Sequence, residues 1–277
     1  MPMQLIYKPW STGKGIAYAW WQSMHTRVDM ILYGSPREEE LKALAGKIES
    51  ELNRLEAIGN YYNTRSELHR VNQNAALSPM QISDELYEMI EDCIGYYPQT
   101  LGYFDAAIRS GKGESPAITA IELIPEDKSV SFKQEGVKLD LSGYLKGYGL
   151  DSARKILEEA GMQNALVNMG NSSVLALGNH PHGEGWKISF GTPGLSEGAE
   201  ILLFNECLTT SGNETNGRKH IINPATGEYV KGKNQVSVVT TKGVDGEALA
   251  TALFASEGEK SESILQNFPE AKIILNY

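Results

Sequence analysis

Cysteine is nearly absent: Cys93 and Cys207 are the only two in 277 residues. That number supplies neither a disulfide framework nor a cysteine metal cluster. Cys93 falls in an apolar helical pattern and Cys207 near the end of an apolar strand, so both read as small buried hydrophobes. Basic residues are outnumbered, 25 Lys and Arg against 35 Asp and Glu, and the formal net charge of -10 disfavours nucleic acid or an anionic membrane as partner. No apolar run is long enough to cross a bilayer. The first residues, Met1-Pro2-Met3-Gln4-Leu5-Ile6-Tyr7-Lys8, lack the apolar core of a signal peptide, so the chain as written reads as cytoplasmic. Internal repeats and low-complexity tracts are missing as well.

What is present is ordinary for a globular protein, with 41% hydrophobic and 22% charged residues in a chain long enough for one large domain or two small ones. Alternating apolar positions over residues 18–33 predict one or two strands with Met24 and Thr26 in their middle. Ser35-Pro36 then opens a helix in which Glu38, Glu39 and Glu40 suit the positive end and Leu41, Leu44, Ile48, Leu52 and Leu55 form an apolar stripe. Residues 60–74 are polar and read as a loop. Ser83 caps a second helix, ended by Tyr96, Tyr97 and Pro98, and residues 102–116 read as a ligand-facing loop or a disordered excursion. Strands are predicted at 120–123, 129–132, 165–177, 186–190, 200–204, 219–223, 235–240 and 272–276, and helices at 150–160, 244–255 and 259–266. Strands and helices interleave without strict alternation, which makes the fold class α+β.

Three places carry chemistry. Val137, Leu139 and Leu141 alternate as in a strand, the helix beginning at Leu150 follows, and Ser142 to Gly149 joins them through glycines that flank Lys146. Glycine admits close backbone approach, a helix N-terminus adds partial positive charge and Lys146 a full one, so the turn suits a phosphate-bearing ligand; it equally suits a plain strand-to-helix connection with a surface lysine. An acidic protein that handles a pyrophosphate must neutralise it locally with a cation or placed basic groups. Glu247 and Thr251, four apart on a predicted helix, share one face and can reach one hard cation, or they belong to a plain amphipathic helix. His220, at a predicted strand end, is of the residue type that can take a proton from an attacking hydroxyl, though a lone histidine is more often structural.

Several segments then arrive in a particular order: Met24-His25-Thr26, Ser66-Glu67-Leu68-His69-Arg70-Val71-Asn72, Gly102-Tyr103-Phe104-Asp105 and Asp140-Leu141-Ser142-Gly143-Tyr144-Leu145-Lys146-Gly147. Asn168-Met169-Gly170-Asn171, Thr210-Ser211-Gly212, His220-Ile221-Ile222-Asn223-Pro224-Ala225-Thr226-Gly227 and Gly246-Glu247-Ala248-Leu249-Ala250-Thr251-Ala252 complete the series. In this order the chain resembles the ApbE family, the FAD:protein FMN transferases, over nearly its whole length.

The resemblance implies a single compact α+β unit over 1–277 with a flavin-binding cleft. It implies a magnesium-dependent reaction in which a threonine or serine hydroxyl of an acceptor protein attacks the FMN-side phosphorus of FAD and AMP leaves. The alternative readings are an FAD-binding paralogue without turnover, or an FAD pyrophosphatase giving FMN and AMP. FAD is the implied substrate and Mg2+ the implied cofactor. The flavin nucleotide is expected at Met24, Thr26, Asn72, Tyr103, Phe104, Asp105, Lys146, Gly170, Ser211, Gly212 and His220, with His220 and Lys146 catalytic. The metal is expected at Glu247, Thr251 and a carbonyl near Ser142 or Gly143. Many members are exported and lipid-anchored, so a trimmed leader would make this protein periplasmic. The chain departs from the family in four places: His25 and Asn171 stand where glycine is usual, Asn223 and Glu247 where aspartate is.

Overall fold

The structure, a computed structural model, describes residues 2–11, 13–35, 37–111, 116–190, 199–212, 221–231 and 235–276. The chain opens with β1 (Gln4–Pro9), β2 (Gly15–Ser23) and β3 (Thr26–Tyr33), antiparallel neighbours. Met24 and His25 are not inside a strand. They form the two-residue turn between β2 and β3, both with positive φ (50° and 58°), as a type I′ hairpin requires. No glycine or asparagine announces this turn. It is held from outside, because Glu56 accepts from the Met24 amide at 2.6 Å and from the Ser23 hydroxyl at 3.3 Å.

Helix α1 (Glu38–Gly59) starts on its three glutamates and buries Leu41, Ala45, Ile48, Leu52 and Leu55, whereas Leu44 is half-buried. Its N-cap is Arg37; Ser35 instead accepts from the Arg37 amide at 3.2 Å, and Pro36 lies outside the described residues. The polar stretch expected as a loop contains α2 (Glu67–Asn74). Ser66 caps it by accepting from the His69 amide at 3.0 Å, and two apolar residues, Leu68 and Val71, suffice to bury one face of so short a helix. After β4 (Met80–Gln81), α3 (Asp84–Gln99) begins at the Ser83 cap and runs past Pro98. A single 3-10 turn (Ala117–Ala120) leads to β5 (Ile121–Ile124) and β6 (Ser129–Phe132), which form a small sheet in the order β4-β6-β5.

The segment with alternating Val137, Leu139 and Leu141 buries all three but joins no sheet. Asn72 takes the place of a neighbouring strand, its side chain accepting from the Leu139 amide and donating to the Leu139 carbonyl, both at 2.8 Å. Helix α4 (Leu145–Glu159) begins earlier than expected, so Lys146 stands in its first turn and Gly147 and Gly149 lie within it. These glycines serve packing. A Cβ on Gly149 would come 2.8 Å from Leu52 of α1, and one on Gly147 would come 2.6 Å from the Gly243 carbonyl carbon.

The stretch 165–177 is a hairpin of β7 (Ala165–Met169) and β8 (Ser173–Leu177). Next come β9 (Trp186–Phe190) and β10 (Ala199–Leu203), paired only with each other. β11 (Glu206–Gly212) was not anticipated as a strand, and Cys207 stands at its start. Of the strand expected at 219–223, Lys219 and His220 lie outside the described residues, and Ile222 forms only an isolated bridge to Tyr229. β12 (Gln235–Thr240), α5 (Gly243–Ala255), α6 (Glu259–Gln266) and β13 (Lys272–Asn276) complete the chain.

The main sheet has eight strands in the order β1-β2-β3-β7-β8-β11-β12-β13, and every neighbouring pair is antiparallel. On one face α1 and α4 cover its first half through Ala17, Trp21, Met30, Leu52, Leu157 and Val167. On the other, the β9–β10 ribbon covers Val174, Ala176, Leu208 and Val239 with Trp186 and Leu203. A second core joins α2, α3 and α5. Helices and sheets therefore share continuous cores in an α+β arrangement. No helix among the described residues is long and apolar enough to cross a membrane.

Candidate functional site

A cleft of about 430 Å³ opens where the first turn of α4, the β7–β8 turn, the end of β11, one face of α5 and the 102–111 loop converge. Its helical wall depends on the close approach of two helix starts. Gly147 packs against Gly243, and Asp151 of α4 accepts from the Gly243 and Val244 amides at 2.7 and 3.1 Å, satisfying two of the free N-terminal donors of α5. Burial pushes the Asp151 carboxyl above its ordinary range, and the two amide bonds pull it back. Because Gly147 carries no side chain, Glu247 lies against α4; a Cβ on Gly147 would come 2.7 Å from Glu247 Cγ.

Glu247 is 4% exposed and accepts from the Ser173 hydroxyl. Burial raises its pKa, opposed by the charge of Lys146 and by that hydrogen bond. Lys146 reaches across to donate to the Ser172 hydroxyl in the β7–β8 turn. Thr251, one helical turn beyond Glu247, brings its hydroxyl 3.3 Å from that of Ser211, and Gly143 lies beside it. Glu247, Thr251, Ser211, Ser142 and Gly143 thus line one space.

The loop wall carries Tyr103, Phe104, Asp105 and Arg109. The Phe104 amide donates to the Thr100 hydroxyl, the Asp140 amide to the Ala106 carbonyl and the Lys138 amide to the Ser110 hydroxyl. Burial raises the Asp105 pKa, partly offset by a hydrogen bond from the Ala107 amide. Arg109 pairs with Asp140, which also accepts from the Ser142 amide, and donates to the hydroxyl of Tyr62 at 3.2 Å.

Of the residues expected at the site, Tyr103, Phe104, Asp105, Lys146, Gly170, Ser211, Gly212, Gly143, Glu247 and Thr251 all line this cleft. Met24 does not; with His25, Glu56 and Asn60 it lines a neighbouring pocket of about 170 Å³ that shares Tyr62, Ser142 and Lys146 with the cleft. Thr26 sits behind the Gly170 turn, where a Cβ on Gly170 would come 3.0 Å from Thr26 Cβ. Asn72 acts through the backbone of Leu139. His220 lies outside the described residues, although Ile221 and Ile222 line the cleft. The departures are accommodated locally. Asn171, at φ 60°, exchanges hydrogen bonds with Asn168, and Asn223 donates to the Ala255 carbonyl at the end of α5 at 3.1 Å, which an ionised aspartate would not do.

Sequence reasoning passed over Tyr62, Arg109, Asp140, Ser172 and Gln235, which also line the cleft. Asp140 stood inside a quoted segment and carried a signal; Arg109 lay in the stretch read as a ligand-facing loop or a disordered excursion, without being singled out, and Tyr62 in one read as loop.

A family model described as the ApbE family matches residues 24–275. The FAD:protein FMN transferase of Chlamydia muridarum is 28% identical over 77% of this chain and 76% of its own length. The protein of the same name from Vibrio cholerae is 25% identical over 88% of this chain and 82% of its own length. Among solved structures, the flavin transferase ApbE from Vibrio cholerae superposes with a TM-score of 0.82, at 19% identity, over 99% of this chain and 94% of that one. The ApbE protein from Thermotoga maritima gives 0.80 at 21% identity over 93% of both. With one family model spanning all the cleft-forming segments, the chain belongs to the ApbE family.

Proposed function

We propose that this chain transfers FMN from FAD to a threonine or serine hydroxyl of an acceptor protein, releasing AMP, and that it needs magnesium to do so. The carrying observation is that Lys146, Glu247, Thr251, Ser211 and Gly143, drawn from three separate segments, line one cleft of about 430 Å³. The names of the curated relatives support the same reading.

The donor set suits magnesium. Glu247, Thr251 and a Gly143 carbonyl are hard oxygen ligands, and no cluster of three or more His, Cys, Asp or Glu is found among the described residues. One carboxylate fits an ion that keeps water and takes substrate phosphate oxygens rather than a full protein cage. When bound, the ion neutralises charge on the diphosphate. Lys146, anchored by Ser172, adds a fixed positive charge beside that bridge. The acceptor hydroxyl oxygen bonds to the FMN-side phosphorus, the phosphorus–oxygen bond to AMP breaks, and the hydroxyl proton passes to His220 as base. Tyr103 and Phe104 offer flat apolar surface to a ring system, and Asp105 accepts from a ring or ribose donor.

Purified protein with FAD, magnesium and a threonine-bearing acceptor peptide should release AMP and leave a covalent fluorescent adduct. Glu247→Ala should lower the rate of AMP release by about a hundredfold or more, while Glu247→Asp retains it. A wild-type rate in the alanine variant removes Glu247 from the site. A second reading, flavin binding without turnover, draws on the engagement of Glu247 by Ser173. Bound flavin without AMP selects it, and AMP without adduct selects FAD hydrolysis.

A further inference from the structure

Charge in the cleft is unevenly supplied. Its described lining residues include three carboxylates, Asp105, Asp140 and Glu247, and two cations, Lys146 and Arg109. A diphosphate entering this space adds negative charge to a surplus of negative charge, so each cation matters. Lys146 belongs to the helical wall and is tied to Ser172. Arg109 belongs to the loop wall, where no motif marks it.

The geometry around Arg109 is that of a presented guanidinium. Asp140, its side chain 7% exposed, takes Nε, and Tyr62 takes one hydrogen of Nη2 at 3.2 Å. The Tyr61 ring lies 5.7 Å from the guanidinium carbon. Asp140 is itself oriented by the Ser142 amide at 2.9 Å. Held on these sides, the guanidinium keeps further N–H donors, and its side chain is 28% exposed in the cleft. A purely structural ion pair would serve to fasten the loop, yet other bonds already do that. The Asp140 amide donates to Ala106 at 2.7 Å, the Lys138 amide to Ser110 at 2.9 Å and the Gly111 amide to Gly136 at 3.2 Å.

We propose that Arg109 is a phosphate-binding residue of the cleft, its guanidinium positioned by Asp140 and Tyr62 to receive a phosphate of the bound dinucleotide on the loop wall. A planar guanidinium matches phosphate oxygens in paired fashion, which a lysine ammonium does not. The choice of dinucleotide rests on the flavin reading above; the anion chemistry does not.

The test is isothermal titration calorimetry of wild type, Arg109→Met and Arg109→Lys with FAD, riboflavin and ADP in magnesium-containing buffer, at low and moderate salt. Arg109→Met should weaken FAD and ADP by about tenfold to a hundredfold, leave riboflavin within about twofold, and flatten the salt dependence of FAD binding. Arg109→Lys should fall between, with a circular dichroism melt close to wild type. Unchanged affinity for FAD and ADP in Arg109→Met overturns the proposal, as does an equal loss for riboflavin, which would mark a structural role. Arg109-dependent ADP binding by a protein that takes no flavin keeps the arginine and removes the flavin reading; flavin binding indifferent to Arg109 does the reverse.

Discussion

Where α4 crosses α5, backbone packs on backbone: Gly147 and Gly243 touch, and Asp151 ties the start of α5 to α4. Across the cleft, the 102–111 loop and the 137–141 segment never enter a sheet; beside the backbone bond from the Asp140 amide to the Ala106 carbonyl they lean on side chains, with Asn72, Ser110, Thr100 and Asp140 each satisfying backbone amides. Both walls present polar groups to one space. A wall with no room to relax fails through sterics when it is altered, whereas a wall tied by side-chain hydrogen bonds fails through unsatisfied backbone.

Gly147→Ala should be the most damaging small substitution. Alanine is ordinarily the better helix former, but here its methyl would meet the Gly243 carbonyl carbon at 2.6 Å and Glu247 Cγ at 2.7 Å. Because backbone is the neighbour, α4 and α5 must separate, at a cost of about 3 kcal/mol. Gly95→Ala in α3 is the matched control, since nothing lies within 4 Å of its added carbon and it should be neutral or gain up to about 1 kcal/mol. Urea titrations of both variants decide the matter. Equal stability would mean that the crossing yields and that the contrast between the walls is wrong.

On the loop wall the corresponding break is Asn72→Ala. Leu139 is fully buried, so its amide and carbonyl would lose partners that water cannot replace, a loss of about 2–3 kcal/mol. Asn72→Asp keeps the acceptor but sets a carboxylate against the carbonyl and should recover little. A loss under about 0.5 kcal/mol in the alanine variant would show that the 137–141 segment holds itself.

How far these walls could be read from residues follows from what signals each. β6, β9, β12, α6 and β13 matched expectation to within a residue, because apolar periodicity bounded by polar turns reports burial directly. β1 was missed, none of its residues being fully buried, and α2 was read as loop because only Leu68 and Val71 among its residues are buried. The Lys146 turn was placed too far along the chain, since Gly147 and Gly149 look like turn residues and are in fact the seats of neighbouring helices. Motif order found ten cleft residues across five elements, a placement that periodicity alone does not give. Arg109 and Tyr62 escaped because a loop residue acquires its role from what the fold sets beside it.

The smallest expected effect concerns Asp105, and it separates the walls by pH. Burial raises its folded-state pKa above the ordinary value near ~3.9, so protonation favours the folded state. The stability this gives is fully present below the unfolded pKa and is lost as pH rises through the folded one. Asp105→Asn should therefore match wild type in strong acid and become the more stable protein toward neutral pH. Thermal melts of ligand-free protein across that range measure the divergence, and the Asn72 variant should show no such trend. A wild type that stays ahead of Asp105→Asn at neutral pH would mean that the ionised carboxylate is stabilised by its surroundings, and that the loop wall is electrostatically organised even without ligand.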